Sequence, residues 1–151
     1  MIKNRFYPDS LPEFPYEPKP GDFRIQKIGD SVGNGVMALK SFLPGDIVFA
    51  FTGFLVTEIT QYSLRYRNGL HVHDPFFMGK VLHCCNPNTY CNMETRQFIA
   101  VQAINPGELI TMDYLQTEDV LFKPFNCSCG APNCRGYVSS REEALAPAFA
   151  R

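Results

Sequence analysis

At 151 residues, 45% hydrophobic and 19% charged, the chain suits one domain with a real core, and this balance excludes general disorder. A net charge of −1 and the absence of any basic block give no support to direct nucleic-acid binding or to a nuclear address. No stretch approaches the roughly 18 apolar residues that span a bilayer, and MIKNRFYPDS lacks the apolar run of a secretory signal. The expectation is an intracellular protein, in cytoplasm or nucleus, monomeric and without membrane contact.

Residues 1–21 form a proline-rich arm (Pro8, Pro12, Pro15, Pro18, Pro20) with Phe6, Tyr7, Phe14 and Tyr16 interleaved. Prolines at this density forbid a helix or an inner strand. The arm either docks its aromatics on the domain or orders on a partner. From residue 23 short strands take over: 23–28 alternates apolar and polar, Gly33-Asn34-Gly35 punctuates, and 36–39 resumes. Leu43-Pro44-Gly45-Asp46 predicts a turn and 47–54 a buried strand. Residues 57–67, free of Gly and Pro, predict a short helix capped by Thr57, and 68–79 a loop. Strands are expected over 98–103 and 109–112, separated by Asn105-Pro106-Gly107. Residues 115–126 read as a mobile connector, and Ser140-Arg141-Glu142-Glu143 as a capping box opening a helix over about 141–146. Thirteen Phe and no Trp predict a Phe-rich core. The class is β-dominated, with few short helices.

Two stretches can carry metal chemistry. Cys127-Ser128-Cys129-Gly130-Ala131-Pro132-Asn133-Cys134 supplies three thiols within eight residues, and a closed tetrahedral zinc site wants four. Candidates for the fourth are Cys84, Cys85, Cys91, His71, His73 and His83. Six cysteines could also form three disulfides, but without a secretion signal metal ligation is the better reading. The turn-prone His83-Cys84-Cys85-Asn86-Pro87-Asn88 is a poor strand and a poor helix, so it needs a tertiary reason to exist. Gly33 and Gly35 let backbone approach a ligand, although a plain turn looks the same and the third glycine of a dinucleotide loop is missing. Tyr114, at a strand end after Asp113, can orient a reacting group or simply pack. No Ser–His–Asp arrangement can be argued.

Taken in order, five strings resemble the SET-domain protein lysine methyltransferases with a post-SET cysteine motif. They are Gly33-x-Gly35-Val36-x-Ala38, Leu43-Pro44-Gly45-Asp46-Ile47-Val48, His83 to Asn88, Pro106-Gly107-Glu108-Leu109-Ile110-Thr111-Met112-Asp113-Tyr114, and Cys127-x-Cys129-Gly130-x3-Cys134-Arg135-Gly136. The resemblance covers about residues 23–137. It implies the SET fold, small curved sheets around a knot-like C-terminal threading, organised as an arm (1–21), a SET domain (22–115), a connector and post-SET zinc segment (116–137) and a tail (138–151). It implies S-adenosylmethionine as cofactor, bound by Gly33, Asn34, Gly35, Leu82, His83, Tyr114 and Phe125, with Tyr114 also catalytic. It implies structural Zn2+ on Cys85, Cys127, Cys129 and Cys134, and a protein substrate presenting a lysine, a histone among the possibilities. Cys84 stands in the family's serine place and Leu82 in that of an asparagine which hydrogen-bonds the cofactor. Two other functions stay open: a peptide-binding module without turnover, and methylation of a small molecule or peptide natural product.

Overall fold

The computed structural model describes residues 4–30 and 33–140. Among these, strands dominate. β1 (Phe23–Gly29), β2 (Gly33–Ala38), β3 (Ile47–Ala50), β4 (Phe54–Val56), β5 (Ser63–Arg67) and β6 (Leu70–His73) are followed by a 3-10 turn at Met78–Lys80. Then come β7 (Leu82–His83), β8 (Thr89–Asn92), β9 (Gln97–Ala100), β10 (Thr111–Met112), a second 3-10 turn at Tyr114–Gln116, β11 (Val120–Asn126) and β12 (Tyr137–Ser140). They pair into small sheets ordered β1-β2, β3-β9-β8, β4-β6-β5, β10-β7 and β11-β12.

The core is built on stacked phenylalanines, as the composition implied. Phe49 lies flat on Phe98 at 4.6 Å between ring centroids and edge-on to Phe77 at 4.8 Å, while Phe23 meets Phe42, Phe49 and Phe77. Fully burying one such side chain contributes about 1.5–3 kcal/mol. The arm docks onto this core. Tyr7 is buried, and its hydroxyl donates to Asp74 Oδ2 at 2.6 Å. Arg5 holds the arm's own shape, with its guanidinium on Glu17 and on the carbonyls of Pro8 and Leu11.

Three expectations are corrected. Residues 57–67 do not form a helix. Thr60 and Ser63 side chains bond the local backbone, which draws amides away from helical pairing, and β5 then pairs with β6. The supposed loop 68–79 contains β6 and the first 3-10 turn; Asn68-Gly69, with Gly69 at φ 77°, closes the β5–β6 hairpin. The supposed connector contains β11, held by β12. The helix expected over 141–146 lies outside the described residues.

The feature that positions the site is a threaded segment. Residues 107–110 run along β2, bonded to the backbone of Val36 and Ala38. The chain then continues as β10, parallel to β7, pairing Thr111 with Leu82 and Met112 with His83. Asn88 locks this crossing. Its side-chain amide donates to Leu109 O at 2.9 Å and its Oδ1 accepts the Thr111 N–H at 2.8 Å.

Candidate active site and metal centre

His83 sits where the threaded segment meets the cysteine cluster. Its Nδ1 accepts the Tyr114 backbone N–H at 3.0 Å, and its Nε2 lies 3.3 Å from Cys85 Sγ. An amide can only donate, so Nδ1 carries no proton and the ring proton is on Nε2, aimed at the sulfur. Burial pushes the His83 pKa down, which keeps the ring neutral at pH 7. The 3.8 Å approach of Nδ1 to Asp113 is therefore not an ion pair. Asp113 spends its carboxylate on Arg135, at 2.8 and 3.2 Å, and on the Leu115 N–H. Both His83 nitrogens are thus committed within the protein, and what the ring can offer a ligand is a face or an edge.

Cys85, Cys127, Cys129 and Cys134 place their sulfurs within 4.8 Å of one another, and Cys85 Sγ is 3.9 Å from Cys127 Sγ. A tetrahedral ion with metal–sulfur bonds of about 2.3 Å needs edges of about 3.8 Å. The set can hold a metal ion. Without an ion the thiols differ: the Cys85 N–H draws the Cys129 pKa down to about 6, while burial pushes Cys85 and Cys127 up. Four crowded thiols do not all ionise together without a positive charge among them. Around the set, the Arg135 N–H donates to Cys85 Sγ at 3.4 Å and Asn133 Nδ2 to Cys85 O at 3.0 Å. Such outer contacts orient ligands, and together with Arg135–Asp113 they tie the C-terminal segment to the core.

Tyr114 lies between this centre and a cavity of about 210 Å3. Its hydroxyl donates to Val81 O at 2.8 Å, and burial pushes its pKa up to about 12. At neutral pH it is a fixed phenol that can accept one further hydrogen bond, not a base. The rings of His83, Tyr114 and Phe125 pack as a trio, with centroids 5.1, 5.5 and 6.0 Å apart. Val81, Met112, Leu64, Leu121 and Phe125 make most of the cavity wall apolar, with Glu118 and Lys123 also on the lining. Gly79, also on the lining, packs so closely that a Cβ there would meet Tyr62 and the Asp74 carbonyl.

Of the residues singled out for a cofactor, Leu82, His83, Tyr114 and Phe125 come together through β7, β10 and β11. Gly35 joins them through Leu82: a Cβ on Gly35 would lie 2.9 Å from Leu82 Cδ1 and 3.3 Å from Ile28 and Leu109 side chains. Gly33, at φ 81°, has open space where its Cβ would be, and Asn34 is exposed. Tyr114 and Phe125 also line the cavity, whereas Gly33, Asn34, Gly35, Leu82 and His83 are not among its lining residues, and the Leu82 side chain carries no hydrogen-bonding group. Asp74, Asp113, Asn133 and Arg135 were not singled out by sequence, because their partners lie far along the chain. Asp113, Asn133 and Arg135 do lie inside recognisable strings, without a sign of their own of what they would bind, whereas Asp74 lies in none. His71 and His73 stand on β6, apart from the metal set; His73 Nδ1 lies 2.7 Å from Thr60 Oγ1.

No family model matches the chain. Over 117 residues it is 32% identical to methyltransferase flvH of Aspergillus flavus, covering 72% of this chain and 64% of that protein. Over 133 residues it is 29% identical to the histone-lysine N-methyltransferase set-2 of Caenorhabditis elegans, covering 71% of this chain and 9% of the relative. The fold superposes on the crystal structure of KRYPTONITE in complex with mCHG DNA and SAH with a TM-score of 0.60 at 20% identity, covering 76% of this chain and 29% of that one. The architecture is thus a SET fold carrying a post-SET-like cysteine cluster that can hold a metal. In sequence the chain is similar to methyltransferases, and its fold is that of a SET domain. It spans just under two thirds of the first relative, at 64%, and 9% of the second.

Proposed function

We propose that the chain is an S-adenosylmethionine-dependent methyltransferase whose acceptor is a lysine side-chain amine on a protein, with zinc as the ion in the four-cysteine set. The observation that carries this reading is Tyr114. Its hydroxyl is pinned to Val81 O at 2.8 Å on the wall of a mostly apolar cavity of about 210 Å3, and such a wall suits the alkyl stem of an amine. Bound S-adenosylmethionine would supply a methyl group activated on a sulfonium. Gly33, Asn34, Gly35, Leu82, His83 and Phe125 are the residues that would hold it.

The work left to the protein is orientation and drying. The transfer requires a neutral amine in line with the methyl, and the Tyr114 oxygen accepts a hydrogen bond from that amine while staying protonated itself. The Val81 carbonyl fixes the phenol, and Phe125, Met112 and Leu64 exclude water. Positioning of this kind supplies most of the acceleration without a strong base. Zinc would act by folding: it fastens residues 127–134 to Cys85 and so carries Phe125 against His83 and Tyr114. Similarity to a histone-lysine methyltransferase supports a histone as one acceptor. Titration calorimetry with S-adenosylmethionine tests the reading. A binding isotherm near one site per chain supports it, whereas silence from folded, metal-loaded protein leaves only a peptide-binding module.

A further inference from the structure

Cys84 is the cysteine beside the metal set that the set leaves out. We propose that Cys84 and Cys129 form a reversible disulfide when a two-electron oxidant such as hydrogen peroxide reaches them, and that this bond opens the four-sulfur set. The peptide nitrogen joining Cys84 to Cys85 points its hydrogen at Cys129 Sγ, 3.5 Å away. One peptide unit separates that nitrogen from Cys84 Cα, so the Cα lies within about 6 Å of the sulfur. A disulfide joins Cα atoms about 4.4–6.8 Å apart, and closing one here needs the Cys84 side chain to turn toward the Cys129 sulfur. The two side chains already interact. The resting Cys84 thiol also makes a 3.4 Å contact to Asn86 O, which a turn toward Cys129 would give up.

Access allows the same pair. Cys84 and Cys129 are partly exposed, as are Cys127 and Cys134, whereas Cys85 and Cys91 are buried at 4% and 1% exposure. The chemistry closes without a further reagent. The Cys129 thiolate attacks the peroxide O–O bond, giving a sulfenic acid and hydroxide; the Cys84 thiol then displaces the sulfenic oxygen as water. Two sulfurs lose one electron pair between them, which the peroxide takes up. A disulfide sulfur carries no charge and is a poor metal ligand, so Cys85, Cys127 and Cys134 remain as three, and the C-terminal segment loses a tie to the core.

The test uses the full chain with its metal bound, exposed to graded hydrogen peroxide. Metal release is followed with a chromogenic chelator, and disulfides are mapped by alkylation and mass spectrometry. The expected result is a Cys84–Cys129 linked peptide that appears in step with metal release, with both reversed by dithiothreitol and added metal. Cys84→Ser, or Cys84→Ala should the serine variant fold poorly, retains its metal several-fold longer at the same dose. Equal release rates in wild type and variant, or disulfides confined to the four ligands, would overturn the proposal. Neither readout depends on methyl transfer.

Discussion

His83→Phe isolates the link between the metal centre and Tyr114. The substitution keeps a ring to pack on Tyr114 and Phe125, 5.1 and 5.5 Å away, and deletes both nitrogens. The Tyr114 N–H then loses its acceptor at 3.0 Å, which costs about 1–3 kcal/mol for a donor left unsatisfied away from water. In a domain of this size each kcal/mol lowers the thermal midpoint by about 2–4 °C, so a fall of about 2–12 °C is expected. Cys85 also loses the Nε2–H at 3.3 Å, an outer contact of a kind whose loss weakens metal binding about 10- to 100-fold. Thermal unfolding at saturating metal reads the first effect, and competition against a chelator of known affinity reads the second. An unchanged midpoint together with unchanged metal affinity would refute the link.

Tyr114→Phe deletes the hydroxyl bonded to Val81 O, and turnover should fall by about 10²-fold or more with metal content unchanged, as the loss of an oriented contact at the reacting group implies; full turnover would remove Tyr114 from the chemistry. Tyr7→Phe leaves Asp74, itself buried, without its 2.6 Å donor, and urea unfolding should show a loss of about 1–3 kcal/mol. A loss within error would mean that packing alone holds the arm. His71 is buried, and desolvation with Arg65 nearby pushes its pKa below the ordinary 6.5, so the unfolded chain binds more protons just below that pH. Stability is therefore complete above the unfolded value and declines as pH falls below it. His71→Leu should flatten the decline by at most about 1.4 kcal/mol per pH unit, with His83 retaining its own share. Urea midpoints at about pH 7.5 and about pH 5.5 measure this, and parallel losses in wild type and variant would contradict it.

What the sequence revealed and what it hid follow one physical division. The cysteines and the Gly33-x-Gly35 string were legible because their chemistry is local and rare, and the strand at Phe23–Gly29 because its alternation is local too. Spacing alone could not choose Cys85 over Cys84, since adjacent residues differ only in where the fold points them; the resemblance chose, and the sulfurs do converge on Cys85. The β5–β6 hairpin carries a readable sign in Asn68-Gly69, but the absence of breakers over 57–67 suits a helix as well as a strand. β11 could not be read. Only Leu121 along it is well buried, and its pairing partner β12 lies more than ten residues away. The two nitrogens of His83 were equally hidden, because an acceptor for the Tyr114 amide and a donor to Cys85 exist only once the threaded segment has crossed β7.

The central claim is methyl transfer at Tyr114, and mass spectrometry of extract proteins incubated with the metal-loaded chain and isotopically labelled S-adenosylmethionine tests it most directly. The account predicts label on lysine side chains of one or a few proteins, strongly reduced with Tyr114→Phe. Label confined to small molecules would correct the acceptor while leaving the reaction standing. The absence of label from protein and small molecule alike would contradict the account.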